Sequence, residues 1–129
     1  MNMLTILATF CFLIAAVNCR VLKQEDALEK CSKENSIDRE LAQKIISHQA
    51  HATTPNEKCL IACYLKVKRY LLNHQIDWVA IYKSHAARIT DETEKEKVKA
   101  IFEECEANFS YENKDDCQIA YDAYECKKL

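Results

Sequence analysis

The chain has 129 residues, 18 Lys+Arg against 20 Asp+Glu, no Gly, one Pro and eight Cys. That length suits one domain, and a formal net charge of −2 supplies no basic field for nucleic acid. Phosphate-cradling loops, nucleophile elbows and dinucleotide fingerprints need Gly for φ > 0 or close ligand approach, so none can be written here, and sheets with tight primed hairpins are disfavoured.

Leu4 to Val17 is an uncharged apolar run of 14 residues. A membrane-spanning helix needs about 20, so residues 1–19 read as a secretory signal peptide. Val17 and Cys19 are small enough for the −3 and −1 cleavage positions, although no Lys or Arg precedes the run. Cleavage leaves 110 residues, 20–129, as a single helical domain. It also removes Cys11 and Cys19, and an even six cysteines in an oxidising compartment signal three disulfides. The expected location is extracellular, with no membrane span.

The remaining pattern is helical. A first helix is predicted over about Val21 to Glu34, with Leu28 and Cys31 on one face. A second runs from about Ile37 to Ala52 on a stripe of Leu41, Ile45 and His48. Thr54-Pro55-Asn56-Glu57 opens a third: Thr as N-cap, Pro at the first helical position and Glu three residues on. That helix is apolar around much of its circumference as far as Leu72, which predicts a central position. Asn73-His74 breaks it. A fourth helix, Ile76 to Ile89, carries Trp78, Val79, Ile81 and Tyr82. Asp91 and Glu94 suggest a second capping box before Val98, Ile101, Phe102 and Cys105. After a loop at Asn108 to Lys114, a last helix places Cys117, Ala120, Tyr121 and Tyr124 on one face. In a chain without Gly, Asn35, Asn73 and Asn108 are the expected left-handed helix stops.

The six cysteines outside the leader are Cys31, Cys59, Cys63, Cys105, Cys117 and Cys126, separated by 27, 3, 41, 11 and 8 residues. Six cysteines allow fifteen pairings, and spacing alone does not choose. Cys59 and Cys63 stand i, i+4 on one helix, so each is expected to reach a different helix. Without CxxC pairs, structural zinc is not expected.

This framework resembles the insect odorant-binding proteins of the pheromone-binding and general-odorant-binding superfamily. The CxxxC of Cys59-Leu-Ile-Ala-Cys63 and the eight-residue gap from Cys117 to Cys126 are the most specific marks, and the long gaps also agree. The resemblance implies an all-α single domain of about six short helices, cross-linked by three interlocked disulfides around an apolar cavity. It implies the pairs Cys31–Cys63, Cys59–Cys117 and Cys105–Cys126. Leu129 lies three residues beyond Cys126, so the acid-driven tail of some family members is not expected.

No residue set argues for catalysis. His48 and His51 share a helix face, but no further metal ligands stand near in sequence. Oxidised cysteines cannot act as nucleophiles. A non-enzymatic protein without cofactor or metal is expected. The candidate ligand-binding residues are Leu65, Trp78, Ile81, Tyr82, Ile101, Phe102, Tyr121 and Tyr124. They are large and fall on predicted inner faces, and a Tyr hydroxyl suits a ligand's carbonyl or alcohol. Plain core packing explains each of them at least as well, Ile101 especially. Asn108-Phe109-Ser110 is an N-glycosylation sequon.

Two functions follow. The resemblance implies a secreted carrier of small hydrophobic ligands such as odorants or pheromones, with a membrane receptor or another secreted protein as a further partner. The alternative is a salivary or seminal protein on the same scaffold, which sequesters a mediator such as a biogenic amine or acts through its surface. Carboxylates inside the cavity would favour the amine.

Overall fold

A computed structural model describes residues 26–126. The signal-peptide reading of residues 1–19 and the start of the first predicted helix lie outside them. The described residues form α1 (26–34), α2 (Arg39–Ile46), α3 (Pro55–Val67), β1 (Leu71–Leu72), β2 (Gln75–Ile76), α4 (Trp78–Ala86), α5 (Glu92–Asn108) and α6 (Asp116–Cys126). The described residues are all-α apart from one short hairpin.

Acidic and hydroxyl side chains start the helices. Asp38, Asp77 and Asp91 accept backbone N–H bonds at the first turns of α2, α4 and α5. At α3 the predicted capping box is present in both directions. Thr54 Oγ1 accepts the Glu57 N–H at 3.3 Å, and the buried Glu57 carboxylate accepts the N–H groups of Thr53 and Thr54. The Thr53 N–H is the main force holding this carboxyl below the ordinary glutamate range; burial opposes it, and the Thr54 N–H and Thr53 hydroxyl assist.

The helix stops differ from expectation. Ser36, His48 and Arg69, with φ of 54°, 60° and 63°, take the left-handed position after α1, α2 and α3. Each closes a paired loop of N–H bonds onto the last turn: Ile37 to Ser32, Gln49 to Lys44 and Tyr70 to Leu65 span the longer ring. Asn35 instead donates its side-chain amide to the Cys31 carbonyl at 2.9 Å. Asn108 is the last residue of α5, whose C-cap Phe109 is extended. So α2 ends six residues before the predicted Ala52, and α3 ends five before Leu72. Leu71 and Leu72 pair with Ile76 and Gln75 across a two-residue turn, Asn73 and His74, with φ of 49° and 64°. This is the primed turn that Gly normally serves. Asn tolerates the conformation, and the strands are short enough that His74 follows.

The disulfides join Cys31 to Cys63, Cys59 to Cys117 and Cys105 to Cys126, the interlocked pairing implied by the resemblance. Cys59 and Cys63 thus tie α3 to α6 and to α1. Accordingly, α3 packs most extensively against α6. The core between them is aliphatic: Leu60, Ile61 and Leu65 from α3 meet Ile119, Ala120 and Ala123 from α6, with Ile45 from α2. Tyr124 closes that core. Its hydroxyl donates to the Ile45 carbonyl at 2.6 Å and lies 3.4 Å from that of Ala50, and its ring stacks on His48 at 4.1 Å between centroids.

Three expectations follow. Tyr124→Phe leaves the disulfides intact but lowers the unfolding free energy by about 1 kcal/mol, read from urea denaturation. Arg69→Gly raises it by about 0.5 kcal/mol, because Gly relieves the left-handed penalty at an exposed position. A Glu57 pKa lower in the folded than in the unfolded chain contributes stability above the unfolded value of about 4.3, and loses it as pH falls through the folded value. Denaturation midpoints should therefore drop on acidification through this range. Glu57→Gln should flatten that drop, and at neutral pH should lower stability by about 1 kcal/mol.

Candidate functional site

A cavity of about 420 Å³ opens where α2, α3 and α4 end. Two of these helices line it with stripes of identical spacing. On α3 and its cap the stripe is Ile61, Tyr64, Leu65 and Lys68; on α4 and the residue after its cap it is Ile81, Ser84, His85 and Arg88. Both run i, i+3, i+4, i+7, one face of a helix over two turns. Each begins at a buried Ile and ends at a cation about 10 Å further along the axis.

Depth therefore sorts polarity. Ile61, Leu65, Ile81 and Tyr124 are buried and form the floor. Ile46, Tyr64 and Tyr70 are half-buried walls. Gln43, Ser47, His48 and Arg88 are exposed and form the rim. Burial raises the Tyr64 phenol above its ordinary pKa; the neighbouring Tyr70 phenol adds to this and the Arg88 guanidinium opposes it. Tyr64 also lies under the Lys68 ammonium, 5.6 Å from its ring centroid. The volume is within the range of small-molecule sites, and the lining sets a small aliphatic floor beneath a larger polar part made of Gln43, Ser47, His48, Lys68, Ser84, His85 and Arg88. Such a space could seat an amphiphile, with an apolar part against the floor and a polar part toward the rim.

Of the eight residues singled out from the sequence, Leu65, Ile81 and Tyr124 line this cavity. The Tyr124 hydroxyl is already committed to the Ile45 carbonyl, so this residue offers a ring rather than a donor. The other five stand elsewhere. Trp78, Tyr82 and Phe102 belong to an aromatic cluster: Phe102 lies 6.5 Å from Trp78, 5.9 Å from Tyr82 and 5.5 Å from His85. Phe109 and Tyr111 extend it beyond Trp78. These rings cement α4 to α5. Ile101 is half-buried against the core, and Tyr121 lies on the α6 flank beneath the Lys58 ammonium at 4.4 Å. Periodicity places such residues inward but does not say whether they meet one another or a space. Size favours the former, because edge-to-face ring pairs gain beyond simple burial.

The rest of the lining was missed. Ile46, Ile61, Tyr64, Tyr70, Lys68 and Arg88 carry no individual mark, but the repeated stripe spacing on two successive helices was a legible signal. The sequon residue Asn108 is exposed, and its side-chain amide donates to the Glu104 carbonyl at 2.9 Å. Among the described residues no group of three His, Cys, Asp or Glu is placed to hold a metal ion, and no helix is long and apolar enough to cross a membrane.

No curated protein and no solved structure matches the chain. At the level of families a match covers residues 20–128, nearly the whole sequence. Its members are binding proteins for small hydrophobic ligands rather than enzymes. The interlocked cysteines and the cavity at the helix ends thus sit in a scaffold with a known kinship: the chain belongs to the PBP/GOBP family, the insect odorant- and pheromone-binding proteins.

Proposed function

We propose that this protein is a secreted, non-enzymatic carrier of small hydrophobic molecules of the odorant or pheromone class in insect extracellular fluid. Residues 1–19 are its signal peptide and 20–129 its working domain. The observation that carries the reading is the cavity of about 420 Å³ with a buried Ile61–Leu65–Ile81 floor, in a chain of the PBP/GOBP family. Disulfides at Cys59 and Cys63 hold α3 at fixed distances from α6 and α1, so the space beside its C-terminal half resists collapse.

Magnitudes suit reversible loading. A ligand of about 15 heavy atoms at roughly 0.5 kcal/mol per atom binds with about −7 to −8 kcal/mol, a micromolar dissociation constant. Sequestration of a biogenic amine is less well served, because among the described residues no Asp or Glu lines this cavity to meet an ammonium.

The test uses oxidised protein of residues 20–129 and the fluorophore N-phenylnaphthylamine. Saturable micromolar binding, displaced by apolar alcohols, esters or acids, is expected. Ile46→Trp projects an indole from the half-buried wall and should weaken probe binding by about tenfold. Absence of saturable binding overturns the carrier reading. Displacement by amines alone would replace it with mediator sequestration.

A further inference from the structure

The charge of the cavity is one-sided. Lys68 and Arg88 are the charged residues in its lining, one at the end of each stripe. Among the described residues neither takes part in an ion pair, whereas Lys66, Lys95 and Lys114 meet Asp116, Glu92 and Asp122. The Lys68 ammonium rests near the Tyr64 ring, and Tyr70 stands beside them in the wall. Lysine, arginine and two phenols form a set of hydrogen-bond donors along the wall and rim above the aliphatic floor.

One effect works against an anion here. Three helix C-termini converge on the cavity, each equivalent to about half a negative charge. Two full cations in the lining outweigh that in sign. The last carbonyls of α2 and α3 are also engaged by the N–H groups of His48, Gln49, Arg69 and Tyr70. The Lys44, Ile45, Leu65 and Lys66 carbonyls are thus already partnered, while the Lys68 and Arg88 donors meet no carboxylate among the described residues.

We propose that the cavity selects an apolar chain ending in a carboxylate: the chain lies on the Ile61 and Ile81 floor, and the head is held between Lys68 and Arg88. This rests on the carrier reading and narrows its ligand to acid-headed molecules of the fatty-acid type. A guanidinium and an ammonium on one carboxylate give charge-assisted bonds, stronger than the neutral bonds available to an alcohol or ester.

The experiment is displacement of N-phenylnaphthylamine from residues 20–129 at neutral pH by decanoate, decanol, methyl decanoate and decylamine. Decanoate should compete about tenfold more tightly than decanol or the ester, and decylamine most weakly. In Lys68→Gln/Arg88→Gln the preference of acid over alcohol should fall to near unity. Lys97→Gln/Lys99→Gln, which removes equal charge from the exposed face of α5, should keep it. Circular dichroism and melting of each variant show that the fold is retained. If the probe binds and alcohol equals or exceeds acid, or if the Lys97/Lys99 variant loses the preference as fully as the Lys68/Arg88 variant, this inference fails while the carrier reading stands. If the probe does not bind at all, both fail.

Discussion

The centre of this molecule is held by α3, through two cysteines one helical turn apart. Cys59 faces α6 and Cys63 faces α1, so a single rigid helix is tied to elements far apart in sequence. Both ties lie in the first two-thirds of α3. The last turns are therefore positioned without being bound, and they wall a space instead of filling one. In a domain this small a hydrophobic core alone is marginal, so cross-links of about 2–4 kcal/mol each let the fold tolerate an unfilled volume beside its core.

The cavity follows from where helices stop. α2, α3 and α4 all end at one side of the molecule, and a helix end exposes its capping residues to whatever lies beyond. The apolar residues one or two turns back become the floor; the cationic residues favoured at C-termini become the rim. Amphipathic binding thus arises from ordinary helix-end chemistry, with Ile61 and Ile81 at one pole and Lys68 and Arg88 at the other.

Much of this was legible in the residues. The capping box at Thr54 and the cap at Asp91 located helices, because each is a local rule with a strong physical cause; the pairing of the cysteines came from the family resemblance, since spacing alone does not choose it. The hairpin was not legible: Leu71-Leu72 continues the apolar run of α3, and Asn73-His74 lacks the Gly that normally signals a primed turn. The end of α2 was hidden for the same reason, since His48 in the left-handed position looks like one more residue on the stripe. At the site, weight placed on large rings led toward the α4–α5 cluster, where rings satisfy one another. The residues facing the space are mid-sized aliphatics and polar caps, which single-position reasoning passes over.

Tyr124 joins two parts of the site that are otherwise separate. Its ring is part of the floor, while its hydroxyl holds the chain at Ile45, just before the exposed rim residues Ser47 and His48. A ligand that settles against the ring therefore presses on the same side chain that tethers the rim. A molecule seated there would couple occupancy to aperture through one phenol, so that losing this tether would be felt at the rim as well as at the floor.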